Sequence, residues 1–312
     1  MVGRGSSSIS CRTSTSSSTS ERRAGTSSVS GGREVPSRRL AARIRLIHPF
    51  PSALDGLVCG AIAIVAGGSA ADAARVGFAM FLLQAGIGAT NDLVDAPRDA
   101  GRKPGKPIPS GLVSRRAAVL VALVSFAGGL GAAVPSGLML AALAIVVIAI
   151  GLAYDLRLKG TAWSWVPFAV GIPILPLFGW LGVRPSLPAA FAFLVPAAIT
   201  AGAALAIGNG LVDVHRDRSA GIASVATRLG EERAWRIQLA LLVGVWLAAM
   251  LSAAVLTRRL EGVLLVGALG TVAPLAAVLG RRGGPRRLER AWEAEALGMG
   301  VLAVAWSALA FP

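Results

Sequence analysis

The chain has 312 residues, of which 54% are apolar and only 15% charged, with a mean hydropathy of +0.66. Ordinary soluble domains carry about 25% charged residues, so this composition excludes a soluble globular enzyme. Its net charge of +15 has to be read by position before it is assigned to a partner. In chain order, the first segment is polar: 16 of the first 30 residues are Ser or Thr, with scattered Arg and a single Glu. Residues 1–45 cannot bury a core and are expected to be a disordered Ser/Arg-rich tail. Such a tail reads as a bacterial extension, a start codon placed too early, or an organelle transit peptide. Residues 46–312 are expected to form one membrane domain. Its charges are confined to short clusters, and uncharged runs fill 117–154, 160–183, 185–212, 237–257 and 262–280. A bilayer-spanning helix needs about 20 apolar residues. The 38 residues of the first run therefore fold back at Pro135-Ser136-Gly137 as two spans. The pattern predicts an all-α, polytopic bundle of about nine transmembrane helices, at 54–71, 73–90, 117–134, 138–154, 163–182, 189–208, 236–256, 262–280 and 292–311. The runs are uniformly apolar and do not alternate, which favours helices over a barrel. Cys11 and Cys59 lie in a polar tail and an apolar helix, and suggest neither a disulfide framework nor a metal site.

The basic charge has an address. The tail and the loops after every second helix hold 27 of the 31 lysines and arginines, leaving Arg75, Arg184, Arg258 and Arg259 for the opposite side. By the positive-inside rule the N-terminus and the long loops face the cytoplasm. The charge thus reads as topology in a lipid bilayer, with no nucleic acid as partner, and the bland tail points to a bacterial cell membrane (or an organelle membrane if the tail is a transit peptide).

Two loops carry chemistry. After the second expected helix stands Asn91-Asp92-Leu93-Val94-Asp95-Ala96-Pro97-Arg98-Asp99, and after the sixth Asn209-Gly210-Leu211-Val212-Asp213-Val214-His215-Arg216-Asp217. Both place Asn, Asp and Asp at i, i+4 and i+8, and residues four apart share a helix face. Acids crowded at the edge of the hydrocarbon repel one another and are costly unless they serve a function. A hard divalent cation removes that repulsion. Mg²⁺ takes oxygen ligands, keeps several waters and bridges one or two carboxylates to substrate phosphates. Asn91, Asp92, Asp95, Asp99, Asn209, Asp213 and Asp217 are therefore the candidate metal ligands. Pro97 lacks an N–H and disfavours a helical residue before it, so a bend is expected between Asp95 and Asp99. The chain's three lysines, Lys103, Lys106 and Lys159, all fall in cytoplasmic loops and, as compact point charges, suit phosphate. His215 reads as a bystander and His48 as an interfacial residue.

The first motif continues into Lys103-Pro104-Gly105-Lys106-Pro107-Ile108-Pro109-Ser110-Gly111, and the second into Arg218 and Thr227-Arg228-Leu229-Gly230. Together they resemble the UbiA superfamily of intramembrane prenyltransferases over about residues 45–312. The resemblance implies a nine-helix bundle and Mg²⁺-dependent transfer of a polyprenyl group from its diphosphate to a lipophilic acceptor of the quinone-precursor, chlorophyllide or glycerol-phosphate type. It implies Asp92, Asp95, Asp213, Asp217 and Tyr154 as catalytic residues, and Lys103, Lys106, Lys159, Arg157 and Arg218 as diphosphate ligands. Tyr154 opens the segment Tyr154-Asp155-Leu156-Arg157-Leu158-Lys159, similar to one that lines the family's active site. The second copy departs from the first in carrying Gly210 in place of an acid, and Asp55 stands in the neighbourhood of a commonly occurring Asn. Two other readings remain at this point. One is transfer of a different group, such as phosphoribosyl, to a polyprenyl phosphate. The other is an ion-coupled transporter, disfavoured because four helices separate the copies and give them the same orientation.

Overall fold

The computed structural model describes Gly3 and residues 36–311, except 102, 104 and 258, so the expectation for the rest of the tail before Pro36 lies outside the described residues. The compact unit starts at Pro36, ten residues earlier than the sequence suggested. Helix α1 (Pro36–Leu46) alternates arginines with small and apolar residues, and buries Ala42 and Leu46, one turn apart, against Ala89, Val113, Ala118 and Ala122. Its four arginines mask this apolar stripe in the sequence.

Every regular element among the described residues is helical. After α1 come α2 (Pro49–Val65), α3 (Ala70–Asp99), α4 (Arg115–Ala133) and α5 (Leu138–Ala153), the last continued by one π-helical turn over Tyr154–Leu158. Then follow α6 (Val166–Gly171), α7 (Ile174–Leu181), α8 (Phe191–Val212), α9 (Val214–Ser219) and α10 (Val225–Leu229). The bundle closes with α11 (Glu231–Thr257), α12 (Leu260–Gly270), α13 (Val272–Gly280) and α14 (Pro285–Ala310).

Each of the nine expected spans is helical, but not all nine are long enough to cross a bilayer. Seven helices among the described residues are long and apolar enough, or eight if α1 and α2, bent by 52°, count as one span. The fifth expected span is the shortfall. Pro173, which cannot donate to a helical hydrogen bond, stands at the break between α6 and α7, and Val166–Leu181 as a whole is too short to qualify.

The core lies between α2, α3, α5, α7, α8, α11 and α14, where Ile62, Met80, Leu83, Leu140, Phe178 and Leu242 are fully buried. Large apolar side chains such as Leu120, Leu123 and Val124 on α4 stay exposed, as a lipid-facing surface requires. Helices α2 and α3 approach each other closely. A Cβ at Gly56 would stand 2.8 Å from the Gly77 carbonyl oxygen, and one at Gly77 closer still to that of Gly56. Small residues let the backbones meet in this way, and they bring the start of α2 beside the end of α3, where the acids are.

Candidate active site

A cavity of about 520 Å³ opens between the ends of α2, α3, α5, α8 and α14. Helix α3 supplies one wall. It starts with a capping box in which Ser69 Oγ accepts from the Asp72 amide at 3.1 Å and Asp72 Oδ2 from the Ser69 amide at 3.1 Å. It then runs unbroken through Pro97 to Asp99. The expected bend is absent because Pro97 sits in the last turn, where the helix is about to end anyway. Asn91 and Asp95 line the cavity. Asp92 points aside and is only 2% exposed; its Oδ1 accepts from Lys106 Nζ and lies 2.9 Å from His48 Nε2. His48 caps α2 with a left-handed backbone (φ 48°), the one positive φ outside glycine among the described residues. Strain of this kind persists where surrounding contacts fix it, and here the contact is Asp92.

The second copy is built differently. Helix α8 ends at Val212, and Asp213 (φ −104°, ψ 4°) separates it from the short α9. Asn209 and Asp213 thus face the same cavity without sharing a continuous helix. Gly210 is a packing residue: a Cβ there would stand 2.9 Å from Ala226 Cβ on α10. Asp217 is half-buried behind Asp213. Burial pushes its carboxyl above the usual range, the Asp213 charge adds to this, and a hydrogen bond from Ser224 opposes it.

Three lysines link the walls. Lys159 Nζ donates to Asp95 Oδ2. Lys106 reaches Asp92, and Lys103 lies between the copies, 3.7 Å from Asp99 Oδ1 and 3.6 Å from Asp213 Oδ2. The π turn after α5 is what aims Lys159: its amide bonds back to the Tyr154 carbonyl at 2.8 Å, and its Nζ lies 5.9 Å from the Tyr154 ring centroid. Such turns are frequent at functional sites. Tyr154 packs edge-on to Phe168, with centroids 5.7 Å apart. On the same turn, Asp155 accepts from Asn91 Nδ2 at 2.7 Å.

Of the residues expected from the sequence, Asn91, Asp95, Lys103, Lys106, Tyr154, Lys159, Asn209 and Asp213 line the cavity, with Asp92, Asp99 and Asp217 behind them. Arg157 and Arg218 do not line it and are exposed. Two residues on from Asp155 and Arg216 respectively, they point to the far side of their turns. Arg216 takes the inward place, 2.6 Å from Asp213 Oδ1. His215 is exposed, 3.7 Å from Glu231 and away from the cavity. Sequence reasoning missed His48, Asp155 and Arg216. The four-residue spacing from Asp213 to Asp217 was legible, but the break in the chain at Asp213, which turns Arg216 inward, was not.

The donor set suits a hard cation. Among the described residues no three His, Cys, Asp or Glu side chains gather tightly enough to chelate a bare ion. Three carboxylate oxygens, Asp92 Oδ2, Asp99 Oδ2 and Asp155 Oδ2, are however buried without a partner. Buried polar atoms are rarely left unpaired, and oxygen ligands spaced too widely for a closed cage are what Mg²⁺ uses when waters and phosphate complete its shell.

The sequence profile of the UbiA prenyltransferase family matches residues 56–304. The digeranylgeranylglyceryl phosphate synthase of Methanopyrus kandleri is 38% identical over 157 residues, which cover 49% of this chain and 56% of that protein. That of Methanoregula boonei is 31% identical over 192 residues, covering 59% and 67% respectively. The chain thus spans little more than half the length of the first of these relatives. Among solved structures, a UbiA homologue from Archaeoglobus fulgidus bound to DMAPP and Mg²⁺ superposes with a TM-score of 0.65 at 18% identity, over 84% of this chain and 98% of that one. The apo UbiA homologue of Aeropyrum pernix gives 0.65 at 18% identity, over 82% and 96%. At such identity the likeness is one of fold.

Proposed function

The chain belongs to the UbiA prenyltransferase family, and from that premise we propose that it transfers a prenyl group from a prenyl diphosphate to a lipophilic acceptor of the glycerol-phosphate class. The supporting observation is Lys103, which stands between Asp99 of one motif and Asp213 of the other at the mouth of a single cavity. Two acidic walls joined by a lysine are built for a ligand that is itself polyanionic and arrives with a cation. Of the acceptor classes the sequence suggested, the names of the two relatives favour glycerol phosphates.

The residues divide the work by charge. Asn91, Asp92, Asp95, Asp99, Asn209, Asp213 and Asp217 would hold Mg²⁺ on the diphosphate, and the ion would supply neutralisation of the leaving charge. Lys103, Lys106, Lys159 and Arg216 are paired with these acids in the free protein and would turn to the phosphate oxygens when it binds. Cations aimed at developing phosphate charge stabilise the transition state. Tyr154 and Phe168, edge-on to each other in the cavity lining, would shield the reacting carbon from water. The protein is an integral membrane protein; with 27 of its 31 basic residues on one side, we place that side and the N-terminus in the cytoplasm of the cell.

The test is a labelled geranylgeranyl diphosphate assay on the detergent-purified protein, with and without Mg²⁺. Pyrophosphate release and a labelled ether product, both lost on chelation, are expected. Metal-independent behaviour or a complete lack of release would sink the reading.

A further inference from the structure

A second cavity of about 140 Å³, bounded by apolar residues such as Phe193, Val245, Met299 and Trp306, adjoins the polar one, with Leu54, Asp55, Ile172 and Leu175 lining both. Two polar side chains line this second space, Asp55 and Ser252. Ser252 is engaged, donating to the Ala248 carbonyl at 2.8 Å and accepting from Trp306 Nε1 at 2.9 Å. Asp55 borders both cavities, and no described residue gives its carboxylate a hydrogen bond or an ion pair. A carboxylate kept without a partner against apolar surface is costly, and within a membrane domain such a group marks a function.

Its position says which function. Asp55 lies seven residues beyond His48, which holds Asp92, or about 10 Å along the helix at 1.5 Å per residue. It therefore borders the space just past the diphosphate end, where the reacting carbon and an acceptor have to meet. The other acids of the polar cavity are engaged at its polar end: Asp95 by Lys159, Asp155 through Oδ1 by Asn91, with its Oδ2 among the oxygens left for a cation, and Asp213 by Lys103 and Arg216. Glu289 is exposed at the mouth.

Resting on the prenyl-transfer reading, we infer that Asp55 is the general base that receives the proton of a hydroxyl acceptor. In this step the bond from the prenyl C1 to the diphosphate oxygen breaks, and its electron pair leaves on the diphosphate. A lone pair of the acceptor hydroxyl forms the new C–O ether bond, and the hydroxyl proton passes to the Asp55 carboxylate. Alkylating a neutral hydroxyl leaves a positively charged oxygen until that proton departs, and among the described residues Asp55 is the one carboxylate that lines the apolar cavity.

The experiment compares full-length wild type with Asp55→Asn and Asp55→Glu in detergent with Mg²⁺ and labelled geranylgeranyl diphosphate. The acceptor probes are geranylgeranylglyceryl phosphate for oxygen alkylation and 4-hydroxybenzoate for carbon alkylation, and binding of geranylgeranyl thiodiphosphate reports an intact donor site. Asp55→Asn is expected to lower ether formation at saturating acceptor by about 10²-fold or more, the usual worth of a general base. Thiodiphosphate binding is expected to stay unchanged, and Asp55→Glu to recover part of the rate. Three outcomes overturn the role of Asp55 while leaving the prenyl-transfer reading intact. They are an Asp55→Asn rate within threefold of wild type, joint loss of donor binding in both variants, and a wild type that alkylates only the carbon acceptor. A wild type that neither binds the thiodiphosphate nor releases pyrophosphate overturns both.

Discussion

Asp95→Ala separates the proposed chemistry from the packing of the bundle. Asp95 is 7% exposed and its partner in the free protein is Lys159, whose side chain is 29% exposed to the cavity. Removing the carboxylate strips Lys159 of its partner, but the ammonium, already 29% exposed, can turn to solvent, so the folding cost is that of a partly exposed ion pair, about 1 kcal/mol or less. No apolar contact is lost. The catalytic cost is of another order. A cation bridging carboxylate and phosphate supplies several kcal/mol of charge stabilisation, and at 1.36 kcal/mol per tenfold change this is about 10²-fold or more in rate. The assay pairs Mg²⁺-dependent pyrophosphate release with a thermal melt in the same detergent. Turnover is expected to collapse while the melt shifts by a few degrees. Asp72→Ala is the control on the opposite side; it removes a capping box and costs about 1 kcal/mol without touching turnover. Near-normal release from Asp95→Ala would mean that the acids are solvated helix ends neutralised by lysine, and that the metal-clamp reasoning is wrong.

Asp99→Ala is expected to reduce turnover less than Asp95→Ala, since Asp99, unlike Asp95, does not line the cavity; equal losses in the same assay would contradict that placement. Gly210→Asp, which would complete the second motif on paper, is expected to destabilise the protein by about 1–3 kcal/mol, because its Cβ meets Ala226 at 2.9 Å; a melt at the wild-type temperature would refute the packing account. For Asp217, burial raises the carboxyl pKa, so the folded state favours the neutral acid. Asp217→Asn should then be more stable than wild type at neutral pH, with the difference fading as pH falls through the raised pKa and vanishing below the ordinary carboxylate range. A stability gap independent of pH would show that the charge is not the cause. A reporter fused after Ser219 is expected to read cytoplasmic, and an external signal would invert the topology.

How much of this was legible in the sequence depends on how local the cause was. Uncharged runs and the positive-inside count are sums over many residues, and they identified every apolar helix. The count of nine is not matched at the run interrupted by Pro173, and the arginines of α1 hid the buried pair Ala42 and Leu46. The acidic motifs were readable as spacing, and Lys103, Lys106, Lys159 and Tyr154 do reach the cavity they line. Whether Arg216 or Arg218 faces inward turned on the break at Asp213, a backbone event of one residue.

The partners of the acids were out of reach for a deeper reason. His48 and Asp92 are 44 residues apart, and Lys159 and Asp95 are 64 apart. They meet only because Gly56 and Gly77 let α2 and α3 touch backbone to backbone and because a π turn aims Lys159 back across the bundle. Spacing along one helix encodes which oxygens share a face; it does not encode which cation neutralises them. That second fact decides how the site waits. The cations of the cavity rest on the acids, so the free protein balances its own charge at the membrane edge. On the proposed reading, a diphosphate arriving with its metal would exchange those pairs for others of the same kind, and the site would open and refill without exposing a bare charge to the lipid.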